Sequence, residues 1–133
     1  MFLELQFKSL TPEVVKTVCD NELYENVALV TDDTMADKLL TGHLNKIIET
    51  AVKAGMPMEK AIYCATWTPS RRMHLDDRGM IAPGKIADFM LLDSLDGIDP
   101  VVVYKKGECV YCKDKEAYGA AEAAACSFPA SFY

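Results

Sequence analysis

The sequence predicts an α/β fold, and three observations carry that expectation. A helix start, Thr11-Pro12-Glu13, is followed by a short wholly apolar run, Val27-Ala28-Leu29-Val30. Apolar residues then recur at helical spacing as far as Ala65. After Asp76-Asp77 the period drops to two. At 133 residues the chain is about one ordinary domain. A closed barrel of alternating strands and helices needs roughly 250 residues, so the chain is too short to hold one.

The first eight residues, Met1 to Lys8, alternate apolar and polar, with no basic segment and no continuous apolar stretch, so they do not read as a signal peptide. Thr11 is an N-cap, Pro12 suits the first helical position and Glu13 places an acid in the first turn, so a helix is expected to about Asp20. The run from Val27 to Thr31 has no polar alternation, as expected of a buried parallel strand, and Asp32-Asp33 stands at its carboxyl end.

Met35, Leu39, Leu40, Leu44, Ile47, Ile48, Ala51 and Val52 form a helical stripe closed by Gly55. Gly42 costs about 1 kcal/mol inside a helix, so a short helix, a break and a longer helix from His43 are expected. Pro57 opens another helix through Ala61, Ile62 and Ala65; Thr68-Pro69 is expected to interrupt it, with a further turn from Ser70 to Leu75. Trp67 reads as core. Pro83-Gly84 is a turn, Ala87 to Leu92 a strand, and Val101 to Tyr104 with Glu108 to Tyr111 a hairpin about Lys105-Lys106-Gly107. The tail from Lys113 is rich in alanine and ends in Phe132-Tyr133, which reads as a cut and not as a natural terminus.

Composition narrows the function classes. A net charge of −6 repels phosphate backbones and anionic lipid, so neither nucleic acid nor membrane is an expected partner. No apolar run approaches the roughly 20 residues of a membrane span. The five cysteines, an odd and scattered set without a secretion signal, read as reduced thiols in a cytoplasmic protein. Cys109-Val110-Tyr111-Cys112 lacks the second ligand pair that zinc requires, and on a regular strand its two thiols point to opposite faces.

Asp32 and Asp33 are the sharpest candidates for chemistry. A carboxylate just past a buried strand lies where α/β proteins place ligands, and it can hold a metal or take a proton. The same pair fits a helix cap, Asp33 or Thr34 capping at Met35 with Asp32 solvated, and residue chemistry alone favours the cap. His43 either faces the same site across the Gly42 break or sits at a helix start. His74 follows a surface turn. Neither histidine is spaced as an H-x-H or H-E-x-x-H element, and Arg71-Arg72 reads as a solvated pair.

Taken together, Ala28 to Asp33, Thr41-Gly42-His43-Leu44-Asn45, Ala61 to Thr66, Thr68-Pro69, Gly79 to Gly84, Ala87-Asp88 and Lys106-Gly107 resemble the amidohydrolase superfamily, and more narrowly its bacterial adenine deaminases. The late pattern A-T-x-x-P followed by G-x-I-x-P-G-x-x-A-D recurs across the superfamily; the acidic doublet with G-H-L-N narrows the match. The resemblance covers about residues 22–112 and implies the last βα part of a metal-dependent (β/α)8 barrel (residues 1–76) with strands of a small β-sandwich domain (77–112) and the start of a following segment or tail (113–133).

The implied reaction is hydrolytic deamination of adenine to hypoxanthine and ammonia at one or two divalent metals, manganese or iron. Asp32 then falls in the role of metal ligand and proton shuttle, with Asp33 and His43 as substrate-binding or outer contacts. The H-x-H pair and the other metal ligands of the first seven barrel strands have no counterpart in this sequence. The chain therefore reads as a fragment, inactive and metal-free by itself, with apolar surface at Leu40, Leu44, Ile47, Ile48 and Val27 to Val30 left open for a homo-oligomer. A dihydroorotase-like or deacetylase-like amidohydrolase shares the late motifs. Outside enzymes, a non-catalytic α+β interaction module is the competing reading.

Overall fold

The structure is a computed structural model that describes residues 1–32, 35–95 and 97–114. Its first unit is a strand–helix–strand crossover: β1 (Leu3–Leu5), α1 (Pro12–Asp20) and β2 (Val27–Leu29), with β1 and β2 paired in parallel, Leu3 opposite Val27 and Leu5 opposite Leu29. α1 begins where the sequence places it, the Thr11 side chain accepting a hydrogen bond from the Val14 N–H at 3.4 Å. Val15 and Val18 turn its apolar face inward. β2 is buried along its whole length, which is why it reads as a continuous apolar run.

A 3₁₀ segment, Ala36–Thr41, ends at Gly42, whose φ of +133° breaks the chain before α2 (Leu44–Lys53). The break therefore falls at the expected glycine. α3 (Met58–Arg72) follows and packs against both β2 and α2. The core lies between these layers: Leu5, Val15, Val18, Val27, Leu29, Ile47, Ala51, Met56, Ala61 and Cys64. Beyond α3, β3 (Phe89–Leu92), β4 (Pro100–Lys105) and β5 (Glu108–Cys112) form an antiparallel meander. Lys106 and Gly107 make its tight turn at φ of +53° and +81°, the mirror-image geometry that matches the twist of paired strands.

Five expectations are corrected. The alternating start is strand β1, so the described residues hold two parallel strands and not one. α3 runs unbroken through Thr68-Pro69. Pro69 forfeits one backbone bond in the last turn, while Thr68, buried, donates to the Tyr24 carbonyl at 2.8 Å and holds the turn in place. Trp67 is only half-buried, with the Arg71 guanidinium and the Lys85 ammonium each 5.9 Å from its ring centre.

The stripe and strand expected to lie open are largely covered within the chain itself. Ile47, Ile48 and Val27 to Leu29 are buried, Leu44 is half-buried, and exposure is confined to Met35, Leu39 and Leu40. Finally, β5 carries a bulge: Tyr104 faces Cys109 and Val103 faces Tyr111, leaving Val110 as the extra residue. Cys109 and Cys112 therefore share a face. Residues 113–114 apart, the alanine-rich tail lies outside the described residues.

Candidate functional site

The carboxyl ends of β1 and β2 come together through the Val30 N–H, which donates to the Leu5 carbonyl at 3.0 Å. Gln6 follows β1 directly, and its backbone is clamped. Its N–H donates to Ser9 Oγ at 2.9 Å, and its carbonyl accepts from the Ser9 N–H at 2.9 Å and the Leu10 N–H at 3.2 Å. From that fixed base the Gln6 amide Nε2 donates to Asp32 Oδ2 at 2.9 Å. Asp32 is exposed and sits at a φ of +48°, a left-handed conformation that aspartate and asparagine tolerate better than most residues. The expected strand-end acid is thus held in a defined place by a residue that the sequence did not single out. The period-two pattern of residues 2–7 was its only signal.

His43 lies elsewhere in the local network. It occupies the residue before α2 and is exposed; its backbone N–H donates to Asn45 Oδ1 at 2.8 Å. Asn45 also donates to Asp99 Oδ1 at 3.4 Å. In the G-H-L-N element it is therefore Asn45 that makes the structural bonds, and among the described residues no hydrogen bond joins His43 to Asp32. Asp33 lies outside the described residues. His74 is exposed in a turn after α3.

β2 is fixed from behind by α3. The Tyr24 carbonyl, just before β2, accepts from Thr68 Oγ1, and Glu25 receives the Tyr63 hydroxyl and, at 2.9 Å, the Arg71 guanidinium. Cys64 faces the same carbonyl at 3.6 Å, and burial pushes its thiol up to about 11, so it stays protonated at neutral pH. Among the described residues no group of three or more His, Cys, Asp or Glu side chains gathers as a metal site. The described donors at this strand end do not fit a resident metal: Asp32 is one carboxylate, and a closed or catalytic centre takes three or four ligands.

Residues 9–116 match the model of the amidohydrolase family, a span that takes in every element from α1 to β5. The chain belongs to the amidohydrolase family. It is 58% identical over 115 residues to the adenine deaminase of Clostridium perfringens strain 13, covering 86% of this chain and 20% of that protein. It is likewise 58% identical over 107 residues to adenine deaminase 2 of Oenococcus oeni, covering 80% of this chain and 19% of that one. The chain thus spans about a fifth of the length of these relatives. Among solved structures, the β-aspartyl dipeptidase of Fervidobacterium islandicum AW-1 superposes with a TM-score of 0.64 at 24% identity, over 84% of this chain and 33% of the other. That likeness concerns the fold.

The late motifs of this amidohydrolase chain serve its folding. The Asp88 carboxylate accepts from the Lys106 N–H at 2.7 Å and from Lys105 Nζ at 3.2 Å, and the Gly107 N–H donates to the Ala87 carbonyl at 2.9 Å. The backbone N–H of Lys106, with Lys105 beside it, holds the Asp88 carboxyl below its usual range. Ala87-Asp88 and Lys106-Gly107 are therefore one device that ties the hairpin turn to the entry of β3. Gly79 fits against α3 where a side chain has no room.

Proposed function

We propose that the chain is part of an adenine deaminase and carries its strand-end acid. The observation that bears most weight is the 58% identity to the C. perfringens enzyme across 86% of the chain. On this reading residues 1–76, with β1 and β2, belong to the end of the (β/α)8 barrel, and β3 to β5 belong to the small β domain. Asp32 is a metal ligand and moves the proton; Asp33 and His43 lie beside the substrate or behind the ligands. The bond from Gln6 supports the assignment, because it holds the strand-end carboxylate in one place, in a left-handed conformation of the kind that clusters at functional sites. Manganese or iron and adenine belong to the whole enzyme, since among the described residues the strand end offers Asp32 alone as a ligand for such a metal. The free thiols at Cys19, Cys64, Cys109 and Cys112 favour a cytoplasmic setting, and no described helix is long and apolar enough to cross a membrane.

Two outcomes are expected of the isolated chain. Ammonia release from adenine, with Mn²⁺ or Fe²⁺ added, stays at background because most ligands are missing; turnover by the chain alone overturns the partial-site reading. Self-association follows from the apolar side chains still exposed, Leu39 and Leu40 on the 3₁₀ segment and Met90, Val110 and Tyr111 on the meander. Light scattering should report a homo-oligomer, and a monodisperse monomer that binds no apolar dye contradicts it.

A further inference from the structure

The bulge in β5 has a chemical consequence independent of the deaminase reading. Val102 and Tyr104 share one face of β4, and their direct partners Cys112 and Cys109 share it with them. Exposure agrees: both cysteines are half-buried, whereas Val110 is 60% and Tyr111 48% exposed. Both thiols are free; Cys109 Sγ donates to the Tyr111 carbonyl at 3.4 Å and Cys112 Sγ to the Asp114 carbonyl at 3.0 Å.

Positions two pairs apart along a strand place their Cβ atoms about 6.5–7 Å apart. A disulfide needs about 3.5–4.5 Å, so this spacing is too wide for a sulfur–sulfur bond unless the strand bends. A cation held between two thiolates, with bonds of about 2.3 Å as in zinc sites, spans sulfurs about 4.6 Å apart. That fits. With two sulfur ligands and no third His, Cys, Asp or Glu gathered among the described residues, the site suits a soft cation content with two-coordination. We propose that Cys109 and Cys112 form a two-thiolate site for a cation of the Cu(I) class. Binding is ligand exchange without electron transfer: both S–H bonds break, two protons leave to solvent, and each sulfur donates a lone pair to the metal.

The test is an anaerobic Cu(I) titration of the full chain against a chromophoric competitor, in a Cys126→Ser background. One Cu(I) per chain and two protons released are expected. Cys109→Ser and Cys112→Ser should each weaken binding about 100-fold or more, and Cys19→Ser should leave it unchanged. Tyr111→Cys combined with Cys112→Ser keeps two thiols close in sequence but on opposite faces, at an exposed position that tolerates the change. It should bind as weakly as the single variants, with an unchanged far-ultraviolet spectrum. Native-strength binding by that double variant, or by Cys109→Ser, overturns the proposal. So does loss of binding in Cys19→Ser, or formation of a Cys109–Cys112 disulfide in a chain that takes up no Cu(I).

Discussion

Replacing Asp32 by asparagine is expected to lower kcat about 10²–10⁴-fold, the usual cost of losing a general base. The setting is a chimera in which this chain replaces the matching segment of the C. perfringens adenine deaminase. KM and the melting temperature should hardly change. Asparagine keeps the oxygen that accepts from Gln6 Nε2, and it tolerates the φ of +48° as well as aspartate does. It also caps helices about as well as aspartate, so a capping role for Asp32 predicts a nearly silent change. The effect on kcat therefore separates a proton-moving acid from a structural one. Asp33→Asn should act more mildly and mainly through substrate use.

The largest effect on stability is expected at Gly79. Its φ of +91° costs an alanine about 1–2 kcal/mol. An added Cβ also falls 2.5 Å from Ser70 Oγ, 2.6 Å from Ser70 Cβ and 3.2 Å from the Thr66 carbonyl. Ser70 is buried on α3 and cannot swing aside, so overpacking adds about 1–3 kcal/mol. Gly79→Ala should thus cost about 2–5 kcal/mol in all. Gly84, at a φ of +79° with nothing within 4 Å of an added Cβ, isolates the backbone share. Gly84→Ala should cost only about 1–2 kcal/mol. Urea denaturation of both variants measures the difference, and equal losses mean that contact with α3 is unimportant.

These two sites show how unevenly the sequence revealed the molecule. Features set by neighbours in sequence were legible. Thr11-Pro12 starts α1, Gly42 breaks the chain before α2, and Lys106-Gly107 turns the hairpin, because cap, break and turn depend on local backbone chemistry. The strand expected over Val27 to Thr31 was legible as an unbroken apolar run, and it is formed over Val27–Leu29, buried throughout. What pairing decides was not. β1 is three residues long and is a strand because β2 lies beside it, so the period-two pattern of residues 2–7 did not show that Gln6 reaches Asp32. Pro69 looked like an interruption because the bond from Thr68 to Tyr24 connects residues far apart in sequence. The shared face of Cys109 and Cys112 depends on one unpaired residue, Val110, which no periodicity marks.

The same chimera tests the central claim most directly. With Mn²⁺ supplied, ammonia release from adenine is expected from the chimera and is expected to fall to near background with Asp32→Asn. A folded chimera that releases no ammonia from adenine, or one in which Asp32→Asn retains full kcat, contradicts the assignment of this chain to an adenine deaminase through Asp32.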